Sequence, residues 1–166
     1  MRRILCFLLI ICCFVSIVGC TPEQEQPENS VAVYYRKDKP TYGTIDGVIA
    51  PTYMQAPTRE AEYASLLNQY LENAPGEGFA QTFPKGTSLL RFRLEGLTVK
   101  VVLSDAIAEY SGMDLAIALT CLTHTVISVT GCQEVIISAS TKQLDGQNFV
   151  TLNRDSYLLI DQSGAI

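Results

Sequence analysis

Apolar residues recur at steps of three and four between Gly112 and Gly131, which is the spacing of one side of an α-helix. They are Leu115, Leu119, Leu122, Val126 and Val129. We predict that Asp114 caps the start of this helix, because its carboxylate can accept an orphan backbone N–H. Gly131 can adopt the left-handed conformation that ends a helix. Residues 135–137 are all apolar, without alternation, which favours a strand covered on both faces.

A period of two residues predicts a pair of strands before that helix. Apolar residues occupy every second position on both sides of a turn: Leu90, Phe92 and Leu94 before it, and Leu97, Val99, Val101 and Leu103 after it. We predict a two-residue turn at Glu95 and Gly96, which pairs Leu94 with Leu97. Both apolar rows then lie on the same face of the hairpin.

The remaining pattern completes one domain. Residues 31–36 predict a first strand, residues 63–71 carry an amphipathic helical stripe, and residues 148–152 predict an edge strand. The order of elements is β-α-β-β-α-β. It indicates an α+β fold, a small two-layer sandwich with the helices on one face of a mostly antiparallel sheet.

The N-terminus matches an export signal. Positive charge at residues 1–3 precedes an apolar run at 4–18, which is short for a bilayer span of about 20 residues. The sequence Ile17-Val18-Gly19-Cys20 then resembles the lipobox of bacterial lipoproteins. This resemblance implies lipidation of Cys20, cleavage before it and acylation, with palmitate as an expected chain. An ordinary signal peptide or an uncleaved anchor is the alternative.

These segments give a domain plan. Residues 1–19 form the signal peptide, residues 20–30 a lipid-anchored linker, residues 31–160 the folded domain and residues 161–166 a frayed tail. Removing Arg2 and Arg3 leaves 10 basic against 17 acidic side chains, a formal charge of −7. This charge argues against nucleic acid as a partner and against a polybasic grip on lipid. The expected location is therefore the cell membrane, on its extracytoplasmic face, through Cys20.

Cysteine and histidine offer little chemistry. Cys121 and Cys132 remain in the mature chain, but about 13 Å of helix follows Cys121, whereas the Cα atoms of a disulfide lie within about 7 Å. We therefore expect Cys121 to be a small apolar helix residue. His124, the single histidine, has no second or third ligand near it on the helix, and we expect it on the helix surface or loosely packed.

Three acidic residues lie close together in the sequence: Asp105, Glu109 and Asp114. Paired carboxylates can act in acid-base catalysis, but two of these occupy positions where helix caps belong. The chain contains no Gly-x-Ser-x-Gly motif and no phosphate-binding loop. We therefore predict no catalytic residues, no metal ligands and no cofactor. An enzyme that uses His124, Asp105 and Glu109 is the least favoured alternative.

Several short motifs, in this order and spacing, resemble the GerMN domain of sporulation and spore-germination lipoproteins. They are Val33-Tyr34-Tyr35, Leu66-Leu67, the run from Phe83 to Leu90, Val102-Leu103-Ser104-Asp105, Leu122 to Val126 with Gly131 and Val135, and Leu152 to Asp155. The chain departs from that pattern where residues 140–143 precede Asp145 and Gly146. It also carries one such domain, whereas some members carry two.

The resemblance implies a fold like the small α/β ring-building modules of envelope assemblies. It also implies a non-enzymatic role in building a membrane-associated complex with other envelope proteins, in sporulation or germination. The alternative is a lipoprotein that binds a cell-wall fragment or small molecule. In that case the Pro- and Gly-containing segment 37–56 would cover the ligand. It is predicted as a long loop with Tyr42 and Tyr53, and a short strand at residues 47–50 is the alternative for part of it.

Overall fold

The computed structural model describes residues 27–42, 47–73 and 76–157, and these residues form six strands and two α-helices. The strands are β1 (Ser30–Arg36), β2 (Ile49–Gln55), β3 (Leu89–Glu95), β4 (Thr98–Leu103), β5 (Glu134–Ala139) and β6 (Val150–Asn153). The helices are α1 (Tyr63–Glu72) and α2 (Gly112–Thr130), with short 3-10 helices at Glu60–Glu62, Asp105–Glu109 and Arg154–Tyr157. The predicted signal peptide, Cys20 and the tail at 161–166 lie outside the described residues.

Four strands form one sheet in the order β3-β4-β5-β6. The β3–β4 and β5–β6 pairs are antiparallel, and β4–β5 is parallel. A parallel pair needs a long crossover, and α2 supplies it. Both helices contribute to one core with the inward face of this sheet. The predicted α+β fold, with helices on one face of a mostly antiparallel sheet, is confirmed.

Strand register places the core on one side of the sheet. Aligned inward rows are Leu94, Val99, Val135 and Leu152; Phe92, Val101, Ile137 and Val150; and Leu89, Leu103 and Ala139. In β5 every second residue is buried, and the residues between them are half-buried. The run at 135–137 is therefore fully covered on one face only, and the two-face prediction for this strand is wrong.

Helix α2 is buried on nearly all sides. Twelve of its nineteen residues are buried, including three threonines. It is long and apolar enough to cross a membrane, but 67% of its most apolar window is buried inside the domain, as in a core helix. Gly131 ends it in the left-handed conformation, with φ 71°, as predicted.

A second sheet, formed by β1 and β2, explains the burial of α2. Strands β1 and β2 pair with each other in an antiparallel sheet of their own, and β1 lies along α2. The β1 edge that faces away from β2 donates backbone N–H groups to hydroxyl oxygens: Ala32 to Ser128 (3.1 Å), Tyr34 to Thr125 (2.9 Å) and Arg36 to Thr82 (3.0 Å). Helix α2 thus lies between two sheets, and hydroxyl groups satisfy an edge that would otherwise be left unpaired.

The turn between β3 and β4 is shifted by one residue from the prediction. Glu95 pairs with Thr98, so the two turn residues are Gly96 and Leu97. Gly96 has φ 63°, which the first central position of a primed hairpin turn requires and glycine adopts without strain. The predicted turn would have placed Glu95 there. Leu97 consequently leaves the inward row and is 58% exposed.

A β-bulge changes the start of β3. Leu89 pairs with Leu103 and Arg91 pairs with Val102, which leaves Leu90 as the extra residue. Leu90 was predicted to face the core, but it is 56% exposed, and Leu89 takes the inward position.

Seven residues of the predicted 37–56 loop are strand. Ile49–Gln55 forms β2, and Lys37 donates to the carbonyl of Val48 at 2.8 Å. Residues 43–46 are outside the described ranges. Pro51 lies where the strand's donors point away from β1, and proline is tolerated at such an edge because it has no N–H. The loop prediction is therefore wrong for residues 49–55, where the strand is longer than the one considered for residues 47–50.

Candidate functional site

The three acidic residues singled out in the sequence do not form one site. Asp105 accepts hydrogen bonds from the Thr141 backbone (2.7 Å), the Thr141 hydroxyl (2.5 Å) and the Lys142 backbone (3.1 Å), which lowers the pKa of its carboxyl. Asp114 pairs with Arg36 at 2.5 Å, and Glu109 is exposed. These contacts tie turns and strands together, and they assemble no acid-base pair.

The prediction that the Asp114 carboxylate caps α2 by accepting a backbone N–H is wrong. Ser111 is the N-cap of α2 and its side chain makes no capping bond. Instead, the Asp145 carboxylate accepts the Gly112 N–H at 2.8 Å from a distant turn. Asp114 still places negative charge in the first turn, where the helix dipole favours it. The sequence could not indicate Asp145, because the two residues meet only through the fold.

His124 lies on α2 away from the open surface, as a loosely packed histidine would. It is half-buried, and its ring lies 5.2 Å from the ring of Tyr34 on β1. Burial lowers the pKa of His124, and the positive charge of Arg154 lowers it further. The neutral imidazole is therefore part of the contact between α2 and β1.

The two cysteines are both free and buried. Burial raises the pKa of Cys121 and of Cys132, so both remain protonated thiols near neutral pH. Cys121 lies among core residues of α2, as expected for a small apolar side chain. Within the described ranges, no group of three or more His, Cys, Asp or Glu side chains could hold a metal ion.

A cavity of about 180 Å³ opens between the first half of α2 and β6. Its walls are mostly apolar and include Leu115, Leu119, Leu144 and Leu152. Small-molecule sites usually occupy about 300–1,000 Å³. A larger hollow of about 360 Å³, beside Phe92 and Glu60, is open and shallow. Neither hollow is covered by the 37–56 segment that the ligand-binding alternative would use.

The outward face of the four-stranded sheet lies opposite the face that packs against the helices. One outward row runs straight across it: Arg93, Lys100, Ile136 and Thr151. A neighbouring row contains Arg91, Val102 and Ser138. The three basic groups therefore lie on β3 and β4, beside the half-buried aliphatic side chains of Val102 and Ile136. A third outward row contains Glu95, Thr98, Glu134 and Asn153, so the hairpin end of the same face carries carboxylates.

The basic groups of this outward face differ in their partners. Lys100 donates to Glu95 at 2.6 Å, which lowers the pKa of that carboxyl. Arg91 and Arg93 are exposed, and neither makes an ion pair within the described part of the chain. The sequence did contain a signal, since arginine alternates with apolar residues through β3. The same alternation is, however, typical of the solvent side of any hairpin.

The fold and these surfaces define a class: a small α+β domain in which helices cover one face of a mixed sheet and the other face stays open. The family model for Germane, described as sporulation and spore germination, matches residues 32–145, which is 114 of 166 residues. The chain therefore belongs to the Germane family, and the resemblance inferred from the sequence motifs is confirmed.

Solved structures support the same fold. The first GerMN domain of the sporulation protein GerM from Bacillus subtilis matches with a TM-score of 0.54 and 14% identity, covering 72% of this chain and 90% of that chain. The tandem GerMN domains of the same protein match with a TM-score of 0.52 and 14% identity, covering 84% of this chain and 49% of that chain. This chain thus spans about half of the tandem structure. A search among curated proteins finds no match.

Proposed function

We propose that this chain is a lipid-anchored envelope protein that acts as a non-enzymatic interaction module in a sporulation- or germination-related membrane complex. The observation that carries the proposal is the Germane domain at 32–145, which follows a lipobox-like sequence ending at Cys20. Lipid on Cys20 places the domain at the extracytoplasmic face of the cell membrane. More than one acyl chain gives stable anchoring, where a single chain gives only reversible binding.

The contacts of the candidate catalytic groups support a role without chemistry. Asp105 holds a turn, Asp114 pairs with Arg36, and His124 lies against Tyr34. These contacts give Asp105, Asp114 and His124 structural roles. In the ligand-binding alternative, residues 49–55 of the covering segment, with Tyr53, are part of β2, and the apolar cavity beside α2 is small.

The docking surface follows from what the fold leaves open. Helix α2 is enclosed, the second edge of β1 is bound by hydroxyl groups, and Pro51 removes a donor from the open edge of β2. The outward face of the four-stranded sheet offers Arg91 and Arg93 on β3 and, two strands away, the half-buried Ile136 on β5. The partner that complements it is a protein surface with acidic groups beside an apolar patch.

Anchoring is tested by replacing the lipidated residue. In Cys20→Ser cells, the domain should move from the membrane fraction to the soluble extracytoplasmic fraction, and metabolic labelling with a palmitate analogue should be lost. Cys132→Ser is the matched control, because that thiol is buried in the domain. Membrane association and labelling that persist in Cys20→Ser would contradict the proposal.

A further inference from the structure

Leu97 is a large apolar side chain at the tip of the β3–β4 hairpin, and it is 58% exposed. The turn that carries it is held in place, because the Leu97 carbonyl accepts the backbone N–H groups of Gln133 (2.8 Å) and Glu134 (3.2 Å). The leucine is therefore presented on a fixed support at the junction of α2 and β5.

The anchored end of the chain enters the domain at the same end of the molecule. Near the start of β1, Ala32 bonds to Ser128 in the last turn of α2. Helix α2 then leads through Gly131 into β5, whose first residue pairs with Thr98, next to Leu97. The entry of the chain, the end of α2 and the hairpin tip thus form one end of the domain.

The linker between Cys20 and β1 is short enough to limit the distance between the domain and its lipid anchor. Nine residues separate Cys20 from Ser30, so these two Cα atoms are at most about 35 Å apart whatever the conformation between them. The other end of β3, at Leu90, lies roughly 20 Å farther along the strand direction than the turn. A lipid on Cys20 therefore keeps the Leu97 end within reach of the bilayer.

We propose that Leu97 is a second membrane contact, inserted into the bilayer interface beside the lipid anchor. This inference rests on the proposed lipidation of Cys20. The nearest charges do not favour an anionic surface, since Lys100 is paired with Glu95 and Glu134 lies beside Thr98. The contact is therefore apolar, and it requires no anionic lipid. It orients the domain with the hairpin tip towards the membrane.

The chain contains no tryptophan, so one introduced indole reports its own surroundings. Leu97→Trp and Leu90→Trp form a matched pair, because both leucines are exposed to the same degree (58% and 56%) at opposite ends of β3. Each variant is prepared as the lipid-modified protein in phosphatidylcholine vesicles, with and without brominated acyl chains. Thermal unfolding confirms that both remain folded.

On vesicles, we expect the Leu97→Trp emission to shift to shorter wavelength and to be quenched by the brominated chains, whereas Leu90→Trp is unchanged. Equal emission from the two variants on anchored protein would overturn the inference. If the protein carries no lipid and does not float with vesicles, the anchoring proposal fails instead. Cys20 is then coupled to a maleimide lipid, and the same pair of variants still decides whether Leu97 enters the interface.

Discussion

The two faces of the four-stranded sheet are built from alternate residues of the same strands, yet they have opposite roles. On β5, Ile137 is buried in the core, while its neighbour Ile136 faces outward and is half-buried. The inward face carries aliphatic rows that pack under the helices, and the outward face carries Arg91, Arg93 and Lys100. The difference indicates that stability resides on one face and that the other is available for recognition.

Truncating adjacent isoleucines gives the largest expected contrast between these faces. Ile137→Ala should lower the free energy of unfolding by about 2–5 kcal/mol, because it removes buried methyl groups and leaves a cavity. Ile136→Ala, with the same change in strand propensity, should cost at most about 1 kcal/mol. Urea unfolding of both variants measures this. Equal losses would show that the outward face is also part of a packed core.

A second pair tests how β1 is held to the inner layer. Thr125 and Thr123 are both buried on α2, but only Thr125 accepts a backbone N–H, from Tyr34. Thr125→Val should cost about 1–3 kcal/mol, since that N–H loses its acceptor. In Thr123→Val the change should be near zero or slightly stabilising, because the Thr123 hydroxyl has no partner among the described residues. A reversed order in urea unfolding would contradict the hydroxyl contact between β1 and α2.

The smallest effect concerns pH. Burial and Arg154 lower the pKa of His124 in the folded state, whereas the unfolded chain binds a proton near the ordinary value of about 6.5. Stability should therefore be fully present above that value and should fall as the pH decreases below it. Since His124 is the single histidine, urea midpoints between pH 7.5 and 5.5 report it directly. His124→Asn should flatten this dependence, and an unchanged slope in the variant would assign it to other groups.

Sequence reasoning succeeded where a local pattern carries the information. The apolar spacing in α2, the glycine that ends it and the alternation in β4 all predict their elements correctly. It failed where one residue's backbone conformation decides the register. Positive φ at Gly96 moves the turn by one position, and the bulge at Leu90 moves the start of β3.

Other features could not be derived from local sequence at all. The hydrogen bonds from Ala32 and Tyr34 to α2 join residues more than 90 positions apart. Contacts of this range produce no local pattern in the sequence. They explain why the side of α2 that carries His124 and Ser128, predicted as surface, is covered. The candidate interaction surface needed the register of β3, β4 and β5, since only pairing brings Arg93, Lys100 and Ile136 into one row.

Photo-crosslinking in intact cells tests the central claim most directly. A photoreactive amino acid at Thr151, exposed on the outward face, is compared with one at Gln69, exposed on α1 on the other side of the domain. We expect the photoreactive group at Thr151 to capture a small set of envelope proteins and the one at Gln69 to capture few or none. The double change Arg91→Glu and Arg93→Glu should abolish the Thr151 products while leaving the domain folded. Capture from Gln69 alone, or Thr151 products that survive the charge reversal, would contradict the assignment of the outward sheet face as the docking surface.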